Sequence, residues 1–172
     1  MARFALGKTQ STPHLGCRVT ALEPALESID SLVGVDALCV FLAEDDRPLS
    51  GAAGYLDWRM CGALSRVLLG NFFKGDRGEQ LLMPTSGGVT AVKLFAVGAG
   101  PSKSLDASTL GLLMESSALM LKRAGVTSVA LSLPKCTLDD QSRAEVVKKR
   151  FAPSFSPGTT TVFAEKSLRA LL

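Results

Sequence analysis

The sequence predicts a three-layer α/β/α domain with a mixed, mostly parallel sheet. Three observations carry that expectation. Short continuous apolar runs alternate with segments of helical hydrophobic period, the pattern of strands crossed over by helices. The run Asp36 to Ala43 is apolar on both sides of its pleat, as a strand covered on both faces must be. The runs Glu79 to Met83 and Val89 to Val97 are separated by Pro84-Thr85-Ser86-Gly87-Gly88, a turn composition, so a hairpin adds an antiparallel component.

The elements follow in order. Gly16 to Leu22 alternates as a short strand, and Pro24 to Leu32 carries apolar residues at helical spacing. The strand from Asp36 is bounded by Gly34 and by Glu44-Asp45-Asp46. Ser50 to Gly54 reads as a loop. Leu56 to Leu69 places Leu56, Met60, Ala63, Leu64, Val67 and Leu68 on one face of a long helix that Gly70-Asn71 ends. After the hairpin, Asp106 caps a helix through Ala124, and Gly125 stops it. Val126 to Leu133 is a buried strand, Thr137-x-x-Asp140 opens a helix to about Phe151, Pro153 to Gly158 is a loop, and Thr159 to Glu165 is the last strand.

Composition bounds the function. With 172 residues, 47% hydrophobic and 20% charged, the chain suits one domain over 1–172 that buries roughly 70% of its unfolded surface. A net charge of +3, from 19 basic and 16 acidic side chains, leaves no footprint for nucleic acid. No apolar run approaches the roughly 20 residues that span a bilayer, and the start Met-Ala-Arg-Phe-Ala-Leu-Gly-Lys lacks a signal-peptide core. Cys17, Cys39, Cys61 and Cys136 form no Cys-x-x-Cys pair, so reduced thiols and the cytoplasm are expected. Cys39 and Cys61 fall within apolar runs, where cysteine behaves as a small core residue, and both are expected to be buried.

One stretch carries more than composition: Leu49-Ser50-Gly51-Ala52-Ala53, then Gly62-Ala63-Leu64-Ser65, Phe73-Lys74-Gly75, Gly78-Glu79, Leu81-Leu82-Met83-Pro84 and the turn Val97-Gly98-Ala99-Gly100. This succession resembles the N-terminal domain of the leucyl aminopeptidases, and the order of elements extends the likeness from about Asp36 to Phe163. The resemblance implies a macro-domain-like fold. It also implies that the family's two zinc ions and catalytic residues belong to a separate C-terminal domain, whose signature Asn-Thr-Asp-Ala-Glu-Gly-Arg does not occur here. No peptidase activity, catalytic residue, metal or cofactor is therefore expected.

Candidate chemistry is sparse. His14 is the single histidine, in a polar segment, so any histidine metal site or triad would depend on it alone. Glu44-Asp45-Asp46 follows a buried strand, the edge where open α/β sheets bind ligands, but lacks the glycine-spaced pattern of a calcium loop. Lys148-Lys149-Arg150 would end the Thr137 helix and complement its dipole. The ligand-binding candidates are Gly51 and Gly54 before a helix and Gly98 and Gly100 after a strand, where exposed backbone N–H groups could cradle an anion. The stretch Leu133-Pro134-Lys135-Cys136 lacks the glycines of a second phosphate loop. The expected role is a non-catalytic interaction or regulatory domain acting on a protein partner, as a homo-oligomer or with an aminopeptidase. A small-ligand module for a nucleotide or ADP-ribose-like anion is the alternative; a membrane partner is not expected.

Overall fold

A computed structural model describes residues 17–85 and 87–172. Its elements in chain order are β1 (Arg18–Leu22), α1 (Leu26–Asp30), β2 (Ala37–Ala43), α2 (Gly51–Arg59), α3 (Ala63–Leu69), β3 (Gln80–Pro84), β4 (Lys93–Gly100), α4 (Ala107–Arg123), β5 (Ser128–Ser132), α5 (Asp140–Val146), α6 (Ala152–Phe155), β6 (Thr159–Phe163) and α7 (Lys166–Arg169). The six strands form one sheet in the order β1-β6-β5-β2-β4-β3, parallel throughout except for antiparallel β3 at the edge. The mixed, mostly parallel α/β sheet is the one the sequence predicts.

Alternation along the strands divides the interior in two. Ala37, Cys39 and Phe41 of β2 face a core shared with α4, α5, α6 and α7, while Leu38, Val40 and Leu42 face one shared with α1, α2 and α3. All seven residues of β2 are buried. Burial of Cys39 pushes its thiol well above the ordinary range, because the low-dielectric interior disfavours a thiolate.

Several expectations are corrected. The helix expected over Leu56 to Leu69 is two helices. Cys61 and Gly62 adopt left-handed φ values of 54° and 76°, and the Gly62 amide reaches back to the Asp57 carbonyl at 2.8 Å, which breaks the regular ladder. Buried Asp57 then caps the new start, accepting from the Ser65 amide at 3.1 Å and its hydroxyl at 2.5 Å. Cys61 therefore sits at an exposed corner, not in the core. Ser50 to Gly54 is not a loop, since α2 begins at Gly51.

The second hairpin strand starts at Lys93, four residues later than expected, and runs on to Gly100. Asp139, not Thr137, caps α5, accepting from the Ser142 amide at 2.9 Å. Beyond α5 the chain continues through a π turn, Val147–Phe151, into α6, so Pro153 is helical and the loop begins only after Phe155. The wider π turn makes room for a proline ring that a regular helix would press against a preceding carbonyl. Lys148, Lys149 and Arg150 lie within that turn and do not end the helix. Lys148 donates to the Leu171 carbonyl, Lys149 pairs with Glu145 at 3.0 Å, and Arg150 with Glu115 at 3.5 Å. The last strand stops at Phe163, and Glu165 starts α7.

Candidate binding surfaces

The carboxyl edge of the parallel strands is where an open α/β sheet leaves room for a ligand. At the end of β2 the acidic triplet is tied into the protein. Asp45 accepts from the Ser102 hydroxyl at 2.7 Å and its amide at 2.9 Å, and these bonds hold its carboxyl below the ordinary range. Asp46 is buried, accepts from the Ser50 hydroxyl at 2.8 Å and its amide at 3.3 Å, and pairs with Lys135 at 3.7 Å. Arg47 donates to the carbonyls of Ala43, Asp46 and Lys74. Asp45 and Asp46 are thus structural while Glu44 is exposed, and the described residues contain no His/Cys/Asp/Glu group able to hold a metal ion. His14 lies outside the described residues.

The four candidate glycines do not converge. Gly51 opens α2 with φ 55° and lines a cleft of about 150 Å3 between α2, the end of β5 and α7. Gly54, one turn on, donates to the Ser50 carbonyl at 3.2 Å. Gly98 and Gly100 are on the far side of β2, and their amides donate to the carbonyls of Glu79 at 2.8 Å and Gly75 at 2.9 Å. A methyl group on Gly98 would sit 2.0 Å from the Asp76 carbonyl oxygen, and one on Gly54 2.6 Å from that of Leu49, so close backbone packing accounts for both glycines.

The turn that seals Gly98 explains the Phe73-Lys74-Gly75 and Gly78-Glu79 residues. Phe73 is buried, and Glu79 Oε2 accepts from the amides of Lys74, Gly75 and Asp76 at 2.9, 2.9 and 3.2 Å. The concave array of N–H groups that could hold an external anion already holds the protein's own carboxylate.

The cleft brings together residues that no sequence motif flags. Besides Gly51, Ala52 and Ala53 it is lined by Asp46, Ser132, Lys135, Arg143 and Glu165. A second surface lies on the outer side of α2 and α3. Trp58, Leu69 and Phe72 are 71%, 83% and 81% exposed, and Tyr55 is partly so. Leu49 joins them, lining both the hollow beside Tyr55 and Trp58 and the one beside Leu68 and Leu69. A signal was available here: Trp58 and Leu69 are large apolar residues off the inward stripe of Leu56, Leu64, Val67 and Leu68.

Residues 32–149, more than half of the chain, match the cytosol aminopeptidase family, N-terminal domain. A probable cytosol aminopeptidase of Caulobacter vibrioides is 28% identical over 138 residues, which are 80% of this chain and 28% of that protein. The chain thus spans little more than a quarter of that relative's length. Among solved structures, a mutant tomato leucine aminopeptidase aligns over 96% of this chain and 36% of its own, with 15% identity and a TM-score of 0.62. A Trypanosoma brucei macrodomain in complex with ADP-ribose aligns over 90% and 67%, with 11% identity and a TM-score of 0.69. These two likenesses show a shared macrodomain-like fold.

Proposed function

The chain belongs to the cytosol aminopeptidase family through that family's N-terminal domain, and from this premise we propose that it is a non-catalytic interaction module that docks a second copy of itself through the outer face of α2 and α3. The exposure of Trp58, Leu69 and Phe72 on and just after α2 and α3, with Leu49 lining the hollows beside Trp58 and beside Leu69, carries this reading, since large exposed apolar surface mostly marks interaction sites. At about 150–250 Å2 for each fully buried aromatic, these three with Tyr55 and Leu49 remove several hundred Å2 per copy. A two-fold pair then reaches the lower range of specific interfaces, about 1,200 Å2 in total. Of the neighbouring arginines, Arg59 is paired with Asp30, which offsets its charge, and Arg66 donates to the Cys61 carbonyl at 2.6 Å.

Light scattering on the purified protein tests this. A dimer that becomes monomeric in a Trp58→Ser/Phe72→Ser double variant with unchanged circular dichroism supports it. A monomer at every concentration sinks it. A complex formed only on mixing with an intact aminopeptidase would replace it by an accessory-subunit role. The nucleotide or ADP-ribose reading ranks behind, because small-molecule pockets run to about 300–1,000 Å3 while the cleft offers about 150 Å3 and the Gly98 and Gly100 amides are engaged. The cytoplasm is the proposed compartment: the cysteines are free, and no described helix is long and apolar enough to cross a membrane.

A further inference from the structure

From the groups left without partners around the cleft at the start of α2, we infer that it binds a small free α-amino acid as its zwitterion. The donors come first. Helix α2 makes its first backbone bond at Gly54, so the N–H groups of Gly51, Ala52 and Ala53 have no helical acceptor and their dipoles favour an anion. Ser132 lies at the end of β5, 3% exposed, on the same side of the sheet as Ala130 and α2. It lines the cleft, and among the described residues its hydroxyl has no partner. Arg143 lines the same space with a partly exposed guanidinium whose Nη1 pairs with Asp140 at 3.3 Å, while its Nε is closed off from solvent.

The acceptor is Glu165. The other cleft carboxylate, Asp46, is occupied by Ser50 and Lys135, whereas the Glu165 side chain has no hydrogen bond or ion pair among the described residues. The unmatched groups are thus several N–H and O–H donors at one wall and one carboxylate at the other. A simple anion answers the first set but leaves the Glu165 carboxylate unmatched, and a nucleotide is too large for about 150 Å3. An amino acid answers both sets, with its carboxylate on α2, Ser132 and Arg143 and its ammonium on Glu165. That volume holds a side chain about the size of alanine's, on the basis of roughly 30 Å3 per water molecule of liquid.

The test is a nitrogen–proton correlation titration of the whole 172-residue protein with L-alanine, and in parallel with acetate, methylammonium, inorganic phosphate and ADP-ribose. L-alanine should shift the Gly51, Ala52 and Ala53 amides saturably, at concentrations where acetate and methylammonium do not. Glu165→Gln should weaken L-alanine about tenfold while raising the response to acetate, and Ser132→Ala should weaken both. Unchanged circular dichroism and thermal midpoint show that the variants fold. No saturable shift at those three amides with L-alanine overturns the inference. Phosphate or ADP-ribose saturating the same amides more tightly than L-alanine overturns it too, as does indifference of the L-alanine response to Glu165→Gln.

Discussion

Glu79 shows how a residue that carries a family likeness can be explained without a ligand. Its carboxylate gathers the amides of Lys74, Gly75 and Asp76, and that turn in turn presses on Gly98. Glu79→Ala should strip three amides of a charged acceptor and lower stability by about 1–3 kcal/mol, read as a lower urea midpoint at constant slope, with Glu79→Gln recovering part. The cysteines separate two environments that look alike in sequence. Cys39 should react with a thiol reagent only on unfolding, whereas Cys61 should react in the native protein, with peptide mapping by mass spectrometry identifying each. Equal protection of both would move Cys61 back inside. Cys39 was legible because its run is apolar at every position. Cys61 was not, because apolar spacing continues across the corner and outweighed Gly62, the one local sign of the left-handed turn that Asp57 holds.

Two helices begin on aspartate caps and one strand pair is braced by another aspartate, and part of the chain's response to acid follows from that. Asp106 and Asp139 accept amides at the starts of α4 and α5, and Asp36 takes the Thr127 hydroxyl and the amides of Thr127 and Ser128, bracing β2 against β5. These bonds lower all three carboxyls from the ordinary 3.8. A folded-state pKa below the unfolded one means that the unfolded chain takes up protons first, so the contribution is fully present above pH 3.8 and is lost as pH falls through the folded values. Unfolding midpoints should therefore stay flat from neutrality to about pH 5 and drop below about pH 4. Replacing Asp36, Asp106 and Asp139 together by Asn should flatten that acid limb, and an unaltered limb would assign it elsewhere. Asp106 and Gly125 were readable as start and stop because capping is local chemistry. The π turn and the shift of the α5 cap from Thr137 to Asp139 were not, since both depend on where the helix must sit to bury Phe151 and Phe155.

For the molecule as a whole, sequence pattern reached the architecture and stopped short of its surfaces. Apolar runs foretold a sheet with two covered faces because burial on both sides leaves no polar residue to break them. The cleft gathers Gly51, Ser132, Arg143 and Glu165 from four separate parts of the chain, a grouping that only the crossovers create. Association through the α2 and α3 face has a consequence at this scale: if folding is coupled to pairing, the thermal midpoint must rise with protein concentration. Wild-type protein should show that rise over a hundredfold dilution series, and the Trp58→Ser/Phe72→Ser variant should not. A midpoint independent of concentration in both would dissociate stability from pairing.

The π turn between α5 and α6 holds one surplus residue in what is otherwise a continuous helix. The widened turn absorbs that residue, so the helix on either side keeps its angular phase, with Phe151 and Phe155 seated in the core and Arg143 on the cleft. Removing one residue from Val147–Phe151 would let the chain close as a regular α-helix without turning Arg143 away, and the strain would fall instead on Pro153, whose ring would then press on a preceding carbonyl. Such a deletion should keep the cleft and lower the stability of the chain.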